Sequence, residues 1–227
     1  MRLRFGPVPI WLVVLSAVAL VATTLDVANH GVLTTIDHAV SRRMVRLGVA
    51  HHVWAKRAIY VLTLFGQRGT VLVLTVPTVA YLVWRLRTIE PAVRYLLALL
   101  ALTVAVYALK DTLHRTAPPV DMLHTADGAS FPSGHLANAV LIWGVLWWCA
   151  HALGAPQPLT RVLGTVRVIG PISVVVAMTL LNYHWISDFI AGACVGVILL
   201  AGVTHPVWRR LARRFDRVIW PTATLTV

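Results

Sequence analysis

The sequence predicts an all-α integral membrane protein, a six-helix bundle with an additional interfacial helix in the first outer loop. Three observations carry that expectation. Hydrophobic residues make up 58% of the 227-residue chain, and mean hydropathy is +0.77. Asp, Glu, Lys and Arg together supply only 12%, about half the share found in soluble domains. The apolar residues are gathered into runs close to the length, about 20 residues, that one bilayer crossing requires. With no internal repeat and no long linker, residues 1–227 read as a single domain.

The elements follow in order. Residues 10–28 follow Met1-Arg2-Leu3-Arg4, as a signal peptide would. The run is long for a signal core and offers no clean cleavage site, so it reads as an anchor. Residues 29–68 are too polar to span. Within them, 36–47 show helical apolar spacing with cations between, which suits a helix lying at the outer interface. The remaining spans are expected at 69–84, 92–110, 135–153, 168–183 and 187–207.

A net charge of +12 would suggest nucleic acid in a soluble protein. Here the cations flank apolar runs and form no groove with exposed aromatics, so lipid explains them better and no nucleic-acid partner is expected. With the N-terminus inside, twelve Lys and Arg residues, among them Arg2, Arg4 and Arg94, fall on the inner side and eight on the outer. The inner loops are short and dense in charge. Both termini are therefore expected in the cytoplasm, with the chain in the plasma membrane. Cys149 and Cys194 lie inside apolar runs and read as packing residues.

This topology delivers three polar stretches to the outer side: Lys110 to Pro118, Pro132-Ser133-Gly134-His135, and His184-Trp185-Ile186-Ser187-Asp188. Ionisable groups at the membrane edge are costly, so their convergence suggests a site. His184 and Asp188 share a helix face, where a carboxylate on one imidazole nitrogen leaves the other free to attack. Two other readings stay open: Ser187 or Asp188 as a helix cap, and a metal-ligand pair, which lacks a third ligand. No metal or cofactor is expected. His114 and His124 read as solvated loop residues. Trp143, Trp147 and Trp148 read as packing or lipid-facing side chains.

Taken together, the three stretches resemble the type 2 phosphatidic acid phosphatase and haloperoxidase family. The resemblance rests on Lys110 with Pro118, on Pro132-Ser133-Gly134-His135, and on His184 with Asp188. It implies His184 as the nucleophile that forms a phosphohistidine, Asp188 as its partner and His135 as general acid. It also implies phosphate binding by Lys110, Ser133 and Gly134, with a helix N-terminus behind the anion.

Two departures mark this chain. Ala117 stands where the family's first motif has arginine, and Ala177 and Met178 where its third has Ser-Arg. Arg115 is the sequence candidate to replace the first of them in binding phosphate, although helical geometry would turn it about 140° from Lys110. Fewer cations suit a phosphorus bearing less charge than a monoester dianion. The leading expectation is a metal-independent hydrolase, a phosphatase acting on a long-chain isoprenoid or glycerolipid phosphate at the outer leaflet. A phosphotransferase using the same His/His/Asp set on a phosphodiester-linked lipid is the alternative. A non-catalytic lipid-binding protein is the third.

Overall fold

The computed structural model describes residues 8–119 and 129–220; Arg2, Arg4 and His124 lie outside them. The helices are α1 (Ile10–Ala28), α2 (Val32–Leu47), α3 (Val53–Thr63), α4 (Arg68–Leu86), α5 (Glu90–Leu113), α6 (Gly134–Ala152), α7 (Gln157–Leu180), α8 (Ile186–Thr204) and α9 (Val207–Ile219), with a 3₁₀ turn at Val49–His51. Each of the six expected spans contains a helix, and the described residues form no named strand.

Among the described residues, α1, α4, α5, α7 and α8 are long and apolar enough to cross a membrane. The sixth, α6, interrupts its apolar run with His135, Asn138 and three tryptophans. It can carry them because it runs through the middle of the bundle, packed against α4, α5, α7 and α8. Leu141, Ile142, Val145 and Leu146 on it are at most 1% exposed. Lipid chains are as apolar as leucine, so close packing holds such a helix rather than transfer from water.

Four features differ from the sequence expectation. First, α2 buries a polar face, with Thr34, Asp37 and Ser41 turned inward while Val32, Ile36 and Leu47 stay exposed. The apolar spacing marks its outer side. Second, α3 follows α2 in what was expected to be loop. Third, the last span stops at Thr204, where Pro206 breaks the helix, and the amphipathic α9 begins. Fourth, Arg94, expected among the inner-loop cations, is fully buried. It pairs with Glu90 at 2.6 Å, donates to the carbonyls of Val203 and His205, and lies 4.3 Å from the Trp148 ring centroid.

The chain therefore crosses back and forth, and the start of α1 and the whole of α9 share one end of the bundle. There Asp216 of α9 accepts from the Thr88 hydroxyl and the Ile89 N–H before α5. The other end carries α2, α3 and the starts of α4, α6 and α8.

Candidate active site

The first turn of α6 is fixed before any ligand is considered. Ser133 caps it, its hydroxyl accepting from the Leu136 N–H at 3.4 Å. The Ser133 N–H donates to the Asp188 carbonyl at 3.0 Å, tying the start of α6 to α8. Gly192 permits this approach, since a Cβ there would lie 2.6 Å from the Ser133 carbonyl oxygen. The N–H groups of Gly134 and His135 belong to the first turn, where no helical acceptor exists for them. Ser133 itself is fully buried beneath the site.

At the start of α8, Asp188 holds two groups with one oxygen. Its Oδ2 lies 3.1 Å from His184 Nδ1 and accepts the Trp185 N–H at 3.1 Å. The capping and orienting readings of Asp188 thus coincide in one geometry; the N-cap residue is Trp185, with Asp188 a turn inside. With Nδ1 facing the carboxylate, His184 presents Nε2 outward. The ring of His135 stands across from it, centroids 6.1 Å apart.

Arg115 does not take the place the sequence expected. Its Nη1 donates to Asp188 Oδ1 at 2.9 Å and to the Ser187 hydroxyl at 2.6 Å. Its Nη2 pairs with Asp37 Oδ2 at 2.7 Å, and the guanidinium lies 5.1 Å from the Trp185 ring centroid. It is not among the residues lining the cavity; both ends of its fork are held by carboxylates behind the nucleophile.

Asp37 is the member of this cluster that sequence reasoning missed. It is 1% exposed and also accepts the Ser187 N–H at 3.0 Å and the Ser187 hydroxyl. One signal was available, because Asp37 is the sole acid in a helix otherwise basic. Four residues further along α2's buried face, Ser41 accepts from Asn182 Nδ2 at 3.0 Å. Asn182 adopts a left-handed φ of 55° at the end of α7 and also donates to the Pro119 carbonyl. The polar face of α2 thus ties together the segments that carry the site.

A cavity of about 440 Å³ opens onto His135 and His184. Lys110 and Gly134 line it, as do Ser130, Asn138 and Tyr183. The Lys110 ammonium donates to the Ala129 carbonyl. Ala117 and Met178 both face this space, so the two departures fall at the cavity wall and make it more apolar. Leu102, Val106 and Tyr107 of α5 complete that wall, and Arg68, to which the sequence had assigned no role, also lines it. Among the described residues, no three His, Cys, Asp or Glu side chains are grouped to hold a metal ion.

A family model described as the PAP2 superfamily matches residues 91–212, just over half of the chain. No curated protein sequence matches. Among solved structures, the fold is similar to that of a chain described as the first transmembrane PAP2 type phosphatidylglycerolphosphate phosphatase from Bacillus subtilis. The TM-score is 0.65 at 20% identity, over 89% of this chain and 96% of that one.

Proposed function

The chain belongs to the PAP2 superfamily, and from that premise we propose that it is a membrane lipid-phosphate phosphatase working through a phosphohistidine at His184. The observation that carries the reading is the His184 imidazole, held by Asp188 through Nδ1 and facing His135 across a cavity with apolar walls.

The chemistry follows from that arrangement. His184 Nε2 attacks phosphorus while the bond to the lipid oxygen breaks. His135 gives its proton to the departing oxygen, and the lipid alcohol leaves. The imidazole then carries the phosphoryl group, with its Nδ1 proton directed to Asp188. His135, now neutral, takes a proton from water as that water attacks phosphorus. Phosphate leaves and His184 is regenerated. Lys110, the free N–H groups at the start of α6 and that helix's positive end offset charge on the phosphoryl oxygens. Ser133 acts from below, by shaping that turn.

The apolar side chains of Ala117 and Met178 favour a second reading. A cavity with fewer cations suits a phosphodiester, and a lipid hydroxyl in place of water would make the same intermediate a phosphotransferase. One assay separates the two. Purified protein in detergent, with EDTA present, is given long-chain phosphomonoester, pyrophosphate-linked and phosphodiester lipids. Release of inorganic phosphate from the monoester is expected. Transfer of a head group without phosphate release would establish the transferase, and inertness on all three would defeat both.

A further inference from the structure

A phosphomonoester carries close to two negative charges near neutral pH, and planar, two-pronged arginine contacts suit it best. Ala117 and Met178 supply none, and Arg115 is held by Asp37 and Asp188. Among the described residues, the cavity is nevertheless lined by one cation besides Lys110, and it comes from a different helix: Arg68, the first residue of α4.

The loop that delivers Arg68 is bolted to the helix that carries His135. Trp143 Nε1 donates to the Phe65 carbonyl at 2.9 Å, and Asn138 Nδ2 to the Gly66 carbonyl at 2.9 Å. Gly66 lies so close to the first turn of α6 that a Cβ would stand 2.5 Å from the His135 carbonyl oxygen. The start of α4 is thus registered against the general acid.

The Arg68 side chain is exposed and is not committed to a carboxylate. Its Nη2 donates to the Thr103 hydroxyl at 2.9 Å, and among the described residues no carboxylate pairs with it. Thr103 is seven residues before Lys110, two helical turns along nearly the same face of α5. It also lies about 15 Å inside the α5 terminus at Leu113. Arg68 is exposed, so its guanidinium has room to turn to an anion in the cavity that it lines. On the same cavity wall, Asn138 Oδ1 is buried with no partner among the described residues, an acceptor placed for a hydroxyl or N–H of the bound molecule.

We propose that Arg68 is the second phosphate-binding cation of this site, reaching from α4 towards the lipid phosphate that Lys110 holds from α5. The proposal rests on the phosphatase reading for its substrate, but its anion-binding claim can be judged without turnover. Because the positive charge enters from another helix, a monoester dianion can be held although both family positions are apolar.

The test compares wild type with Arg68→Gln and Arg68→Lys. On a long-chain phosphomonoester, Arg68→Gln should raise KM and the inhibition constant for inorganic phosphate by about tenfold or more, one lost charge-assisted contact. Arg68→Lys should recover much of that loss, which a packing role would not allow. Values within twofold of wild type for Arg68→Gln, or equal damage in both variants, would overturn the assignment. Should the wild type release no phosphate from any lipid, the phosphatase reading falls and binding decides the matter. Thermal protection by inorganic phosphate in the wild type, weakened in Arg68→Gln, would then support an anion site at Arg68. Equal protection in both, or none in either, would refute it.

Discussion

Asp188 divides its carboxylate between two tasks. Oδ2 orients His184 and Oδ1 accepts Arg115, which in turn joins the carboxylate of Asp37. Removing His184 deletes the proposed nucleophile and removing His135 the proposed acid. Each change to Ala should therefore cut turnover by about 10³-fold or more while the protein still folds, as kcat and thermal melting together will show. Arg115→Ala is expected to behave differently. It leaves two buried carboxylates without their shared cation, a loss of about 3–5 kcal/mol, so the melting temperature should fall along with activity. Arg115→Lys should restore only part of both, because an ammonium cannot bridge Asp37 and Asp188 with a rigid fork. His135, His184, Asp188 and Lys110 were legible because their spacing in the sequence is itself the signal. Asp37 was not, since its partner Ser187 is 150 positions away and its one local mark, a lone acid in a basic helix, fits a solvated acid equally well. Arg115 was legible as a cation near the site, but its direction depends on that same unseen acid.

Between helices, the site depends on how closely α8 and the α3–α4 loop approach the start of α6. Gly192→Ala should cost about 1–3 kcal/mol, because the new methyl must push Ser133 and its carbonyl aside. Activity should fall further than melting alone explains, since Ser133 bonds to Asp188. A Gly192→Ala enzyme with wild-type melting and turnover would show that this approach is unimportant. The spans were readable from apolar runs because the bilayer fixes their length. The connections were harder. In α2 the apolar spacing was plain, but which face turned inward could not be read, since Thr34, Asp37 and Ser41 find their partners only in the assembled bundle. The pattern of α9 is present in Val207, Leu211, Phe215 and Val218 set among arginines. It was hidden by continuity with the preceding apolar run, which only Pro206 interrupts.

Across the whole molecule, both described chain ends lie away from the histidines, and the positive charge of α9 lies with them. On the charge rule, that distribution leads us to propose α9 at the cytoplasmic face and the cavity at the outer one. A His51→Cys variant tests the orientation, because His51 is exposed on the histidine side while Cys149 and Cys194 are buried. An impermeant thiol reagent should label it in intact cells, and labelling only after the membrane is opened would invert the topology. The cavity's apolar α5 wall beside Lys110 fits a substrate whose phosphate meets the protein at the bilayer edge. The most direct measurement of the central claim is rapid acid-free quenching of purified protein with radiolabelled lipid phosphate, followed by mapping of the labelled residue. The account predicts an acid-labile, alkali-stable phosphoryl group on His184 that appears within the first turnover and is absent from His184→Ala. Steady phosphate release with no labelled histidine, or a label that persists when His184 is gone, would contradict it.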